Sequence, residues 1–125
     1  MSNAPDKWQA LQAFWGSFGI PAYEQASVPK GVQLPYISYN GEVGAINEPL
    51  PLSASIWCRD TSWEWISKKA DEIAQFIGYG YHITTVEGGY LWISRGTPFA
   101  QRMSDEDTTI KRIYINVVGE YLTAF

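Results

Sequence analysis

Residues 61–78, TSWEWISKKADEIAQFIG, carry the clearest structural signal in the chain. Apolar side chains recur there at helical spacing and form one stripe: Trp63, Ile66, Ala70, Ile73, Ala74 and Ile77. The charged residues lie outside the stripe: Glu64, Lys68, Lys69, Asp71 and Glu72. Thr61 and Glu64 have the spacing of a capping box, and Gly78 is placed to end the helix. The stretch predicts an amphipathic helix that covers a sheet or a second helix.

Upstream of this helix, the pattern predicts one further helix and two strands. Trp8, Leu11, Trp15 and Phe18 share helical spacing, so residues 6–18 are predicted to form a helix. Residues 21–34 lack periodicity and contain prolines and glycines, which indicates a surface loop. Residues 36–39 end at a turn dipeptide, and residues 52–58 alternate between apolar and polar side chains, so both are predicted strands.

Downstream, a hairpin precedes one long strand. Residues 81–86 and 90–95 flank Gly88-Gly89, as in a β-hairpin. Residues 109–123 are apolar on both faces, which is typical of a central strand or of one covered by a neighbouring subunit. The order α-β-β-α-β-β-β predicts a single α+β domain over residues 1–125, a mainly antiparallel twisted sheet packed by two helices.

The composition favours a folded, intracellular protein. The chain has 125 residues, of which 46% are hydrophobic and 18% charged, and its net charge is −4. The nine basic residues are scattered, which disfavours specific nucleic-acid binding. Met1–Asp6 has no signal-peptide pattern, and no apolar run is long enough for a membrane span. Six Trp and eight Tyr are many for this length, and part of this set is expected to face another protein.

Three groups of residues are candidates for a chemical site, and each has a simpler interpretation. His82, the single histidine, lies in a predicted strand with no cysteine or carboxylate beside it. Cys58, the single cysteine, falls on the apolar face of its strand, as an inert core thiol would. Asp105-Glu106-Asp107 lacks the spaced ligands of a calcium loop and is predicted to be a solvated turn. The sequence therefore predicts no catalytic, metal or cofactor site.

The segment between the last two predicted strands, residues 96–107, is longer than a hairpin needs. Long loops in compact domains are commonly functional, and this one combines apolar residues with arginine. A subunit or partner interface is therefore predicted at Thr97, Pro98, Phe99, Gln101, Arg102, Met103 and Asp105. The alternative, that Phe99 packs into its own core, stays open.

The same region carries a resemblance to a known family. Residues 91–105, LWISRGTPFAQRMSD, with residues 110–116, IKRIYIN, and 120–123, EYLT, resemble small proteins called minor capsid or minor tail proteins in long-tailed bacteriophages and prophages. These proteins are similar to tail terminators, and the order of elements over roughly residues 8–123 resembles theirs.

The resemblance implies an α+β protein that assembles into a ring, usually a hexamer, at the head-proximal end of the tail. Its partners would be further copies of itself, the tail tube protein and a head–tail connector or neck protein, with DNA passing through the ring. It implies no catalysis, and it places the protein in the host cytoplasm during assembly and then in the virion tail. A head-completion protein and an aromatic-lined module, for example for carbohydrate, remain alternatives; a small hydrolase ranks last.

Overall fold

The computed structural model describes residues 4–123, and the signal-peptide prediction for Met1–Asp6 falls partly outside them. The elements are α1 (Lys7–Trp15), β1 (Ala22–Glu24), a 3₁₀ turn (Gln25–Ser27), β2 (Tyr36–Tyr39), β3 (Pro49–Arg59), α2 (Glu64–Ile77), β4 (His82–Val86), β5 (Gly89–Met103) and β6 (Ile110–Thr123). Neither helix within the described range has the length and apolar character that a membrane crossing requires.

The strands form one six-stranded sheet in the order β1-β2-β3-β6-β5-β4. β1 pairs with β2 in parallel, and every other pair is antiparallel. β6 lies between β3 and β5, which confirms its prediction as a central strand. The predicted α+β class with a mainly antiparallel sheet and two helices is confirmed.

Both helices pack on the same face of the sheet, which we call the covered face. Ile66 and Ile73 of α2 are fully buried, and α2 packs against β3, β5 and β6. Trp15 at the end of α1 is also fully buried and stacks on Tyr39 of β2, with ring centroids 6.4 Å apart. Alternate residues of β6 complete this core: Ile113, Ile115, Val117 and Tyr121. Because strand side chains alternate, the residues between them lie on the opposite, open face.

The predicted capping box of α2 is wrong, although the helix and its apolar stripe are confirmed. The helix begins at Glu64, and Trp63 occupies the cap position without a side-chain hydrogen bond. The first turn is satisfied differently: the Glu64 amide donates to Ser62 Oγ at 3.0 Å, and the Ser62 amide donates to the Asp60 carboxylate at 3.1 Å. Thr61 therefore plays no capping part, because Asp60 already orders the turn.

Two other helix ends follow simple rules. α1 has the capping box: the Asp6 carboxylate accepts from the Gln9 amide, and the Gln9 side chain accepts from the Asp6 amide. The predicted stop at Gly78 is confirmed, because this residue adopts a φ of 77° and its amide donates to Ala74 O at 2.9 Å.

Lys69 differs from the other charged residues of α2. Its ammonium group donates to the carbonyl of Phe18 at 2.7 Å, and its side chain is only 14% exposed. A second bond joins it to Glu72 at 3.1 Å. Lys69 therefore links α2 to the segment that follows α1, whereas Lys68 lies in solvent at 74% exposure.

The predicted loop at residues 21–34 contains a strand. β1 pairs in parallel with β2. The carbonyl of Pro21, the residue just before β1, accepts a hydrogen bond from the Ile37 amide at 2.8 Å. A strand of three residues is too short to show an alternating pattern, and Pro21 beside it is typical of a loop.

Candidate functional site

The segment predicted to be a loop, residues 96–107, is mostly strand, and that prediction is wrong. β5 continues to Met103 and pairs with β6 on both sides of an irregularity between Arg95 and Ala100. Gly96 allows this bulge, since a Cβ there would lie 2.8 Å from Asn116 O. The Asn116 amide group donates to Pro98 O at 2.9 Å and holds the bulge against β6.

The predicted interface residues consequently do not form one surface. Thr97 and Pro98 are exposed at the bulge, while Phe99 is partly buried against the core of its own chain. Arg102 lies on the covered side, with its guanidinium carbon 5.0 Å from the ring centre of Trp63.

The remaining three lie elsewhere. Gln101 and Met103 pair with Tyr114 and Arg112 and so belong to the open face. Asp105 lies in the turn before β6, where its carboxylate accepts from the Asp107 amide at 3.0 Å.

Hydrogen bonds of the Asp107 carboxylate hold the turn at residues 104–109, which we call the acidic turn, against the sheet. This carboxylate accepts from the Thr109 hydroxyl at 2.7 Å, the Thr109 amide at 2.9 Å and Arg59 at 3.1 Å. These hydrogen bonds, those from Thr109 first, lower the pKa of Asp107 to about 2. Among residues 4–123, no cluster of three or more His, Cys, Asp or Glu side chains could hold a metal ion.

His82 and Cys58 lie in apolar surroundings. The His82 ring lies 4.5 Å from Phe76 and 5.5 Å from Phe14, and burial lowers its pKa. Cys58 is buried, and burial raises the pKa of its thiol, which disfavours the reactive thiolate.

A row of aromatic rings crosses four strands of the open face. Tyr23 contacts Tyr36 with centroids 6.1 Å apart, and Tyr36 stacks on Trp57 at 6.2 Å. The guanidinium carbon of Arg112 follows at 4.6 Å from the Trp57 ring and 5.9 Å from the Tyr114 ring. We call these five residues the aromatic row.

Beside the aromatic row the open face sinks into a groove of about 430 Å³. Its floor is made of serines, because Ser38 of β2 pairs with Ser55 of β3, and Ser53 lies two residues further along β3. Two of them also hold the row: Trp57 Nε1 donates to Ser38 Oγ, and Arg112 Nε donates to Ser55 Oγ, both at 3.0 Å. We call this depression the serine groove.

A second group of aromatic and aliphatic side chains lies at the β4 edge of the sheet. Tyr81, Ile83 and Tyr90 are 48%, 50% and 51% exposed. Ile83 pairs with Trp92, whose ring lies 4.7 Å from that of Tyr81. The buried Trp92 Nε1 has no hydrogen-bond partner among the described residues. We call these four residues the edge patch.

Sequence reasoning missed the aromatic row and the edge patch as surfaces. Alternation along the strands does indicate which residues of the aromatic row share a face. Ser53, Ser55 and Trp57 share one face of β3, and Arg112 and Tyr114 share one face of β6. What the sequence did not supply was the register that brings Trp57 opposite Arg112 and Tyr36 opposite Trp57.

Comparisons with known proteins bear on this arrangement. No family model matches the sequence, and no curated protein matches it. A chain in the solved structure of the virion of a native gene transfer agent (GTA) particle is similar, with a TM-score of 0.58 and 16% identity over 89% of this chain and 83% of that chain. The fold is shared with a virion chain. At this identity the likeness shows the fold alone, and it agrees with the fold that the family resemblance implies.

Proposed function

We propose that this chain is a structural protein of a phage or prophage virion, a tail terminator or tail-completion protein that forms a ring. The resemblance of residues 91–105 to phage tail proteins supports this assignment, and so does the fold shared with a chain of the GTA virion. In this proposal the ring, usually a hexamer, stops growth of the tail tube and joins it to the neck.

The observation that carries the proposal is the edge patch, which lies on the outer strand β4 and its neighbour β5. Strand edges present unpaired amide and carbonyl groups, and β4 has its outer side unpaired within the described part of the chain. Contiguous exposed apolar side chains mark interaction surfaces, and Tyr and Trp are enriched in them.

The edge patch suits a ring because the other outer strand of the sheet is different. β1 has only three residues, so the two edges are not equivalent. A contact between the β4 edge of one copy and a different surface of the next is heterologous, and heterologous contacts form a ring when the rotation between successive copies closes.

The predicted interface around Thr97–Asp105 remains part of this proposal in a narrower form. Gln101 and Met103 lie on the open face and can meet a partner, whereas Phe99 packs partly on the core of its own chain. Arg102 is exposed on the other side of the sheet, over the Trp63 ring. Replacing Phe99 and Arg102 together by alanine is therefore expected to weaken the fold as well as assembly.

The proposed role involves no catalysis. The two groups best suited to acid–base or nucleophilic chemistry, His82 and Cys58, have their charged forms disfavoured by burial.

A matched pair of substitutions tests the proposal. Ile83→Lys places a charge in the edge patch, and Ile46→Lys places the same charge on an isoleucine of similar exposure, 47%, that is not part of the patch. In a phage, we expect Ile83→Lys to give a folded protein with overlong or unjoined tails, whereas Ile46→Lys gives normal particles. Normal tails with Ile83→Lys would contradict the edge patch as an assembly surface.

A further inference from the structure

The serine groove contains a cation with unused hydrogen-bonding capacity. Arg112 is half-buried, and its Nε is engaged by Ser55. Its two terminal nitrogens carry four N–H donors, and within residues 4–123 they make no hydrogen bond or ion pair. The Trp57 and Tyr114 rings and the Ser55 hydroxyl fix the orientation of the guanidinium. A cation held in this way is organised for an anion.

We propose that the serine groove binds a carboxylate of a second copy of this chain, supplied by the acidic turn at residues 104–109. The inference rests on the proposed ring assembly and names the chemistry of one contact in it. Terminal guanidinium nitrogens bind a carboxylate through two parallel hydrogen bonds, and the serine hydroxyls of the floor add further donors.

A protein carboxylate fits the groove better than a nucleic-acid phosphate. Binding to a nucleic-acid backbone draws on several neighbouring cations. The other arginine of β3 and β6, Arg59, is already paired with Asp107 at 3.1 Å. Arg112 therefore acts singly, on a chain whose net charge of −4 repels a polyanion.

The acidic turn is the part of the chain that offers suitable carboxylates. The Asp107 carboxylate already accepts hydrogen bonds from Arg59 and Thr109. Glu106, in contrast, is exposed and makes no hydrogen bond or ion pair with any described residue. Asp105 uses one carboxylate oxygen on the Asp107 amide and presents the other. A turn from one copy inserted into the groove of the next repeats around a ring.

In the test, a synthetic peptide of residues 103–109, MSDEDTT, is titrated into the full chain, and binding is monitored by NMR. The reporters are the Trp57 indole N–H, which donates to Ser38, and the Arg112 Nε–H, which donates to Ser55. We expect saturable shifts of both signals with a dissociation constant on the order of 1 mM or weaker, because the contact consists of one charged pair and a few hydrogen bonds. The peptide MSNQNTT, without carboxylates, and a single-stranded oligonucleotide should leave both signals unmoved.

A matched arginine provides the control variant. Arg95 resembles Arg112 in its setting, since its Nε donates to Gly78 O at 2.7 Å and its guanidinium lies 5.2 Å from the Tyr79 ring, but it is outside the groove. Arg112→Gln should weaken peptide binding about tenfold or more, and Arg95→Gln should not change it. The proposal is overturned if the oligonucleotide shifts these signals, or if MSNQNTT shifts them as much as MSDEDTT does. Because the assay uses free protein, its failure is distinct from a failure of the virion assignment.

Discussion

Truncation of Ile73 on α2 is the sharpest test of how the helix covers the sheet. Ile73 lies in the middle of the apolar stripe and has no exposed surface. Ile73→Ala removes buried carbon atoms and leaves a cavity, which costs about 2 to 5 kcal/mol of unfolding free energy. Lys68→Ala, on the solvent side of the same helix at 74% exposure, should change stability by less than about 0.5 kcal/mol.

Lys69→Ala distinguishes this structure from a plain amphipathic helix. Its bond to Phe18 O joins α2 to the end of α1, so its loss should cost about 1 to 3 kcal/mol, between the other two variants. Urea unfolding monitored by circular dichroism measures all three changes. With a slope of about 1 to 3 kcal/mol per molar urea, Ile73→Ala should shift the midpoint by about 1 M or more. Equal midpoints for Ile73→Ala and Lys68→Ala would refute the packing of α2 described here.

Three further predictions concern other parts of the fold. Gly89→Ala should destabilise the β5–β6 pairing by about 1 to 3 kcal/mol in urea unfolding, because its Cβ would lie 1.9 Å from Leu122 O; Gly44→Ala, in open space, serves as control. The Asp107 carboxylate has a pKa of about 2 in the folded chain, below the ordinary 3.8. Its ionised form therefore stabilises the folded state above pH 4, and this stabilisation is lost as the pH falls towards 2. Asp107→Ala should therefore be less stable than the original chain at pH 6 and converge with it near pH 2, and a constant gap would argue against the turn described here. EDTA should leave the melting temperature unchanged, and a fall reversed by calcium or zinc would reveal a metal site.

Elements with a long, regular period could be predicted from the sequence. The stripe of α2 repeats over four turns, and the two-faced pattern of residues 109–123 identified β6 as central, because hydrophobic periodicity reflects burial directly. The cap of α2 could not be predicted in the same way, because Thr61 and Glu64 have capping-box spacing but the helix begins at Glu64, with Trp63 at the cap position. Ser62 and Asp60 accept the amide hydrogens just before and at the start of the helix instead.

The site was less predictable, for a physical reason. Gly96 and Pro98 are typical of a loop, yet a bulge interrupts the ladder at that point and accommodates both within β5. Because of this error, Gln101 and Met103 were predicted to lie on a loop, although they belong to the open face of the sheet. The aromatic row depends on register between strands that are distant in sequence, and register follows from the whole sheet rather than from any one strand.

The central claim, that this chain forms a ring in a virion, is tested most directly by counting its copies in purified particles. Cryo-electron microscopy of the head–tail joint, combined with quantitative mass spectrometry against the tail tube protein, gives both position and number. The account predicts a closed ring of about six copies at the head-proximal end of the tail, in which each β4 edge meets the next subunit. A single copy per particle, or particles that lack the protein altogether, would contradict it.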